Sequence, residues 1–278
     1  MSAETITLVN GEPAASVSTH DRGFQYGDGV FETIAVFRGK PLLWDRHMQR
    51  LARAAHRLAI VPPSLELLQT ETSQLCVGAE RAVLKIVLTR GIGGRGYAIH
   101  GVGTTTRVLY LSPWPDYPAT FARDGVAVTV CETTLAHNRR LAGIKHLNRL
   151  EQVLARMEWR TEFAEGLMQD EDGNVIEGTM TNVFVVTDGM LRTPSLSSCG
   201  VEGIMRGIVI DAAKRLGIPH VVTDLTIDDL EAAQELFLTN SLIGVWPIKQ
   251  LRDREYTNGP ITRALQQAIC EAHCFDRG

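Results

Sequence analysis

Lys145, in Ala142-Gly143-Ile144-Lys145-His146-Leu147-Asn148-Arg149-Leu150-Glu151-Gln152, is one of five lysines among the 28 basic residues of this 278-residue chain. Arginine stays protonated and cannot form an imine, whereas a desolvated lysine can lose its proton, attack a carbonyl and make a Schiff base. A chain that builds its basic surface from arginine and keeps a lysine at this position points to a need for a primary amine. Glu177, in Val175-Ile176-Glu177-Gly178-Thr179-Met180-Thr181-Asn182-Val183-Phe184, leads into a strand among small and hydroxylic neighbours. It reads either as a surface carboxylate on an edge strand or as one that keeps a heterocycle nitrogen protonated.

Three further features suit an anion. Gly203-Ile204-Met205-Arg206 opens a helix after Ser197-Ser198-Cys199-Gly200-Val201-Glu202, and backbone N–H groups at such a start bind phosphate. Ser241, after a strand, can add a hydroxyl. Arg50, in His47-Met48-Gln49-Arg50-Leu51, falls on the polar side of its helix and is either solvated or a phosphate clamp. Each signal is weak alone. An imine-forming lysine, a carboxylate for a ring nitrogen and a set of phosphate donors together describe what pyridoxal 5'-phosphate requires.

Other motifs carry less. Gly91-Ile92-Gly93-Gly94-Arg95-Gly96 fits a dinucleotide fingerprint, but Tyr97 to Gly103 lead to another strand, and the motif works only where a helix starts at the loop. A substrate-facing loop carrying Arg95 is the better reading. Asp170-Glu171-Asp172-Gly173-Asn174 lacks the spacing of a calcium loop and is expected to be a hairpin turn. Cys76, Cys131, Cys199, Cys270 and Cys274 form no Cys-x-x-Cys pair and read as reduced packing thiols of a cytoplasmic protein. Cys270, His273 and Cys274 have no second cluster to complete a zinc site, so no metal is expected. A net charge of −4 without a basic block argues against nucleic-acid or anionic-membrane partners. No apolar run is long enough to span a bilayer, and Met1-Ser2-Ala3-Glu4 begins nothing like a signal peptide.

The elements that must position these residues follow from periodicity. Strands are expected over Thr5 to Val9 and, after the turn Asn10-Gly11, Ala14 to Ser18. Val30 to Phe37 is a strand, with a helix from Asp45 to Ile60 and another from Ser64 to Val77. Strands at Ala82 to Thr89 and Arg107 to Leu111 flank the glycine loop. Ser112-Pro113-Trp114-Pro115-Asp116-Tyr117-Pro118 reads as a linker between a small N-terminal α/β domain over 1–115 and a larger one over 116–278. In the second, a strand at Val126 to Val130 precedes a helix from His146 to Arg160 that is expected to bury Leu147, Leu150, Leu154 and Met157. A β-meander from Gly166 to Thr193 follows, then a helix from Ile204 to Leu216 capped by Gly217, short strands at Val221 to Thr223, Leu236 to Thr239 and Val245 to Ile248, and a terminal helix. The class is α+β.

Asp21 to Glu32, His47 to Leu51, the Lys145 segment, Glu177 to Asn182 and Gly203 to Arg206 resemble the fold-type IV pyridoxal-phosphate enzymes. Gly93-Gly94-Arg95-Gly96-Tyr97 and Gly143 to Gln152 are most similar to the aminodeoxychorismate lyases within that family. The resemblance implies a β-barrel-like, helix-bearing second domain that carries the lysine, a homodimer, and a cofactor between the domains. It implies Lys145 as the imine lysine and proton carrier, Glu177 on the pyridine nitrogen, and Arg50, the backbone of Ile204 and Met205, and Ser241 on the phosphate. Arg95, Tyr97 and Arg107 are the residues expected at the substrate. Branched-chain aminotransferases carry a tyrosine five residues after the lysine, where this chain has Leu150; D-amino acid aminotransferases carry Arg-x-His where it has Arg95 and Tyr97. The implied reaction is lysis of aminodeoxychorismate to 4-aminobenzoate and pyruvate, the alternative being a D- or branched-chain aminotransferase.

Overall fold

Asn10 and Gly11 take left-handed backbone, φ 54° and 93°, which matches a tight hairpin turn. They join β1 (Ile6–Val9) to β2 (Glu12–Pro13), and the return strand stops there rather than running to Ser18, since proline has no N–H for a ladder. The computed structural model describes residues 5–99 and 103–273. Met1 to Glu4, His100 to Val102 and Cys274, with the metal reading that needed it, lie outside them.

The chain divides into two units, Met1–Asp116 with Ile144–Asn148, and Tyr117–Gly143 with Arg149–Gly278. The Lys145 segment was expected with the second unit and groups with the first. Its backbone pairs with the first unit's sheet: His146 bridges Val30, the Phe31 N–H donates to the Lys145 carbonyl at 2.9 Å, and the Leu147 N–H donates to the Gly29 carbonyl at 3.0 Å. A Cβ on Gly29 would stand 2.7 Å from Leu147 Cδ1, so only glycine lets this segment lie so close.

Beyond β1 and β2, the first unit contains α1 (Arg22–Tyr26), β3 (Gly29–Phe37), β4 (Lys40–Pro41), α2 (Trp44–Arg57), α3 (Leu65–Leu75), β5 (Arg81–Thr89) and β6 (Thr106–Pro113). Six strands form one antiparallel sheet in the order β2-β1-β6-β5-β3-β4. Strand alternation puts Val30, Ile34 and Val36 on one face opposite Leu88, Leu84 and Ala82, all buried, and α2 packs on β3. Met48, Leu51, Ala54 and Ala55 supply the inward stripe of α2. Ser64 caps α3 through the Leu67 N–H, one of the side-chain caps that fix where helices begin.

The second unit contains α4 (Thr120–Asp124), β7 (Val126–Val130), α5 (Leu150–Arg156), β8 (Glu165–Gln169), β9 (Val175–Gly178), β10 (Asn182–Thr187), β11 (Met190–Pro194), α6 (Ile204–Arg215), β12 (His220–Thr223), α7 (Ile227–Ala232), β13 (Glu235–Asn240), β14 (Gly244–Leu251), β15 (Arg254–Glu255) and α8 (Pro260–His273). Nine strands make a mixed sheet in the order β12-β11-β10-β13-β14-β7-β8-β9, with β15 on β14. The sheet curls so that β9 packs against β10 and β11. Val183, Val185, Leu236, Leu238, Trp246 and Ile248 fill the core with Leu225 and Leu230. On neighbouring strands Phe184 and Phe237 stack at 5.0 Å, while α6 and α8 pack against β13. Burial on both faces explains why β10 is a continuous apolar run rather than an alternating one. The fold is α+β.

The helix expected from His146 to Arg160 starts only at Leu150, because 144–148 are spent on pairing with β3. Its inward residues are Gln152 and Ala155; Leu150, Leu154 and Met157, expected in the core, are 76%, 54% and 75% exposed.

Candidate active site

In the first unit the lysine lies among groups brought together by β3 and α2. Lys145 Nζ stands 4.5 Å from the centroid of the Phe31 ring, where the ring face attracts an ammonium. The next residue, Glu32, shares the buried face with Val30 and Ile34, lies opposite Ile86 and is 1% exposed. Its carboxylate accepts from Arg50 Nε at 2.8 Å and Arg50 Nη2 at 2.6 Å, and His47 Nδ1 lies 2.6 Å from Oε2. Burial pushes the Glu32 carboxyl up, but the Arg50 charge and the hydrogen bonds of Arg50 and His47 outweigh it and hold the group at about 2. Burial pushes the His47 imidazole down, against the pull of Glu32, with repulsion from Arg50 and Lys145 adding to the fall. A neutral imidazole beside an ionised carboxylate must carry its hydrogen on Nδ1, since the carboxylate can only accept. Arg50, read from sequence as lying on the polar side of α2, is therefore a buried, aimed guanidinium, 5% exposed.

The glycine loop between β5 and β6 is tied down at Gly96. Arg22 Nη1 donates to its carbonyl at 2.9 Å, and its N–H donates to the Tyr26 hydroxyl at 3.1 Å. Arg22 and Arg90 share the Asp28 carboxylate at 2.9 and 2.8 Å. Arg95 is exposed on this loop, and Tyr97 sets its ring against the edge of Tyr26 with centroids 5.5 Å apart. No helix follows among the described residues of the loop, as expected for a site that is not a dinucleotide fingerprint. Arg107, expected at the substrate, is instead paired with Glu71 of α3, Nε to Oε2 at 2.8 Å and Nη2 to Oε1 at 2.5 Å. Cross-strand register turns it toward that helix, and the buried carboxylate needs a cation.

In the second unit Glu177 lies on β9, 4% exposed, not on the surface of an edge strand. Its Oε2 accepts from the Val201 N–H at 2.8 Å, and the charges of Arg149 and Arg206 act on it. Val201 is held in turn by Asn182, whose Nδ2 donates to the Val201 carbonyl at 2.9 Å, and by the neighbouring bridge of Gly143 to Val201. Two residues on, Gly203 is the N-cap of α6 and supplies no capping side chain; a Cβ there would collide with Asn182 Oδ1. The first-turn N–H groups of a helix have no intrahelical partner, so Ile204 and Met205 present donors at the positive end of a 12-residue helix. Ser241 sits half-buried in the turn after β13, a turn shaped by Asn240 Oδ1 accepting from the Leu242 and Ile243 N–H groups at 2.8 and 3.0 Å. Asp170 to Asn174 form a hairpin turn, with Asp170 Oδ1 accepting from the Asn174 N–H at 2.8 Å.

Each unit thus gathers part of the expected set: Lys145 and Arg50 with Arg95 and Tyr97 in the first, and Glu177, Ile204, Met205 and Ser241 in the second. Sequence reasoning missed Glu32 and His47. The available signal was parity, since Glu32 is a charge in the row Val30, Ile34 and Val36 that alternation sends inward.

The family model described as "Amino-transferase class IV" matches residues 29–251. The chain belongs to that family. Among class IV relatives, a protein of Vibrio harveyi named aminodeoxychorismate lyase is 38% identical over 263 residues, covering 93% of this chain and 97% of that one. The crystal structure of 4-amino-4-deoxychorismate lyase from Pseudomonas aeruginosa is similar with a TM-score of 0.92 and 43% identity, covering 96% of this chain and 98% of that one. The branched-chain amino acid aminotransferase of Escherichia coli shares the class IV fold with a TM-score of 0.85 and 26% identity, covering 96% and 93%.

Proposed function

We propose that this class IV protein is a pyridoxal-phosphate-dependent lyase that converts 4-amino-4-deoxychorismate to 4-aminobenzoate and pyruvate. The observation that carries the reading is the likeness to lyases over nearly the full length of both chains, on a chain whose Leu150 and Tyr97 depart from the aminotransferase patterns. The donor set fits the cofactor: an amine over an aromatic face, a buried carboxylate, a buried arginine, and a helix start that its glycine leaves uncapped. When bound, pyridoxal phosphate supplies an aldehyde that condenses with amines and a ring that accepts the electron pair left on the adjacent carbon.

The residues would then act as follows. Arg50, aimed by Glu32, would hold the phosphate together with the Ile204 and Met205 N–H groups and the Ser241 hydroxyl. Glu177, itself fixed by the Val201 N–H, would keep the pyridine nitrogen protonated. The Lys145 amine removes the proton from the ring carbon that bears the substrate amine. It then gives a proton to the departing enolpyruvyl group, and the substrate ring becomes aromatic. Arg95, on an anchored loop, is the cation for the substrate carboxylates, with Tyr97 beside it; Arg107 is not assigned because Glu71 holds it.

Homodimerisation and a cytoplasmic location belong to the same proposal. Leu150, Val153 and Leu154 of α5 and Met157 at its C-cap recur at helical spacing on one exposed face, which a second copy would cover. Cys76, Cys131 and Cys199 are free thiols, as a reducing compartment maintains. No helix among the described residues is long and apolar enough to cross a membrane.

The test is incubation of the holoenzyme with 4-amino-4-deoxychorismate, following 4-aminobenzoate release. Arg95→Ala is expected to raise the KM for this substrate far more than it lowers cofactor content. Efficient amino transfer from D-alanine or L-leucine to a 2-oxo acid, with no 4-aminobenzoate formed, would replace the lyase by an aminotransferase.

A further inference from the structure

Outside the groups described above, three side chains of ligating type converge in the second unit. His137 from the loop after β7, Asp170 at the end of β8 and Cys199 from the loop before α6 place one ligating atom each within 4.8 Å of the others. His137 Nε2 lies 3.0 Å from Asp170 Oδ2. Asp170 and Cys199 are 5% and 7% exposed, respectively, while His137 is on the surface.

The backbone ties these three positions together independently of their side chains. Leu135 bridges Asp170, and its N–H donates to the Gln169 carbonyl at 2.8 Å. Three residues on, the Asn138 N–H donates to the Ser198 carbonyl at 2.8 Å, next to Cys199. His137 therefore sits between two anchors, one beside each of its partners, which is the support a binding constellation needs. Asp170 Oδ1 is occupied by the Asp172 and Asn174 N–H groups at 3.1 and 2.8 Å. This fixes the carboxylate and leaves Oδ2, shared by His137 and Asn174 Nδ2, as the oxygen that can exchange a partner.

We propose that His137, Asp170 and Cys199 bind one thiophilic divalent cation of the zinc class, through Nε2, Oδ2 and Sγ, with water completing a tetrahedron. The donor types favour such an ion over magnesium or calcium, which take oxygen ligands. Tetrahedral bonds of about 2.0–2.3 Å put ligand atoms roughly 3.3–3.8 Å apart; His137 and Asp170 are already that close, at 3.0 Å, and what remains to close within the 4.8 Å cluster, on the order of 1 Å, is the separation from Cys199 Sγ. Binding displaces the hydrogens on Cys199 Sγ and His137 Nε2, the first to water and the second to water from an imidazolium or to Nδ1 within a neutral ring, leaving a thiolate, a carboxylate and a neutral imidazole around a doubly charged ion, with no net charge. A bound cation stabilises the thiolate and the carboxylate together. The inference does not depend on the lyase reading.

The experiment uses chelator-treated, desalted holoenzyme titrated with Zn²⁺ and with Co²⁺. One equivalent is expected to bind, with Co²⁺ giving tetrahedral visible bands and a thiolate charge-transfer band, and with excess Mg²⁺ failing to compete. Cys199→Ser should remove the charge-transfer band. His137→Ala should weaken Zn²⁺ binding roughly 10²-fold or more, as when one of three protein ligands is lost. Cys270→Ser should match the wild type. Absence of saturable one-to-one binding overturns the site, and so does binding that survives His137→Ala unchanged. Because His137 is exposed, that variant still decides the matter if Cys199→Ser does not fold.

Discussion

At the scale of single residues, the proposed chemistry rests on an amine and a carboxylate that no neighbour can replace. Lys145 is the only lysine of its segment, so Lys145→Ala is expected to abolish 4-aminobenzoate release and the imine absorption while leaving the far-ultraviolet circular dichroism unchanged. The segment is tied to β3 by its backbone, the Phe31 N–H donating to the Lys145 carbonyl, and alanine keeps that bond while losing only the side-chain contact with the Phe31 ring. An active variant that kept the absorption band would reassign the amine. Glu177→Gln keeps an oxygen that can accept from Val201 but loses the charge that keeps a pyridine nitrogen protonated. It is expected to retain cofactor and lose roughly 10²-fold or more in kcat. A normal rate with normal cofactor content would make Glu177 a structural carboxylate.

At the scale of elements, β3 and α2 act as one device, in which a strand charge is neutralised by the helix packed on it. Glu32 in the folded chain titrates near 2, below its ordinary 4.5. Its contribution to stability is thus fully present above about 4.5 and is lost as pH falls toward 2. Glu32→Gln is expected to cost on the order of 3 kcal/mol at neutral pH, because it takes the Glu32 charge away from beside a buried Arg50. The gap between variant and wild type should narrow as the pH falls below about 4.5, which urea melts at successive pH values would measure. A gap independent of pH would show that the carboxylate charge is not what holds Arg50. The variant should also lose pyridoxal phosphate more readily, since an arginine that is no longer aimed grips a phosphate poorly.

At the scale of the whole molecule, the α5 stripe is the feature that a single chain leaves unexplained. Leu150 at the start of α5 and Met157 at its C-cap are 76% and 75% exposed, while the helix buries Gln152 and Ala155. A homodimer twice the 30.6 kDa chain mass is expected in sedimentation equilibrium, and the double change Leu154→Asp with Met157→Asp should shift it toward monomer with little loss of helix content. A wild-type monomer across micromolar concentrations would leave the stripe without that role.

The sequence by itself determined most strands and the turns at Asn10-Gly11 and Asp170 to Asn174. All of these are local: alternation and left-handed turn residues act within a few positions of one another. Only the tertiary structure decided where charges and helix faces end up. Arg50 read as either solvated or a phosphate clamp, and β3 brings Glu32 beneath it; Arg107 read as a substrate cation, yet α3 brings Glu71 across it. The pairing of 144–148 with β3 delayed the start of α5 and turned its apolar face outward. His137, Asp170 and Cys199 are 33 and 29 positions apart along the chain, and only the backbone ties of two loops to one strand end bring them together. A side chain's partner across such separations is set by register and packing, and no short-range pattern records that choice.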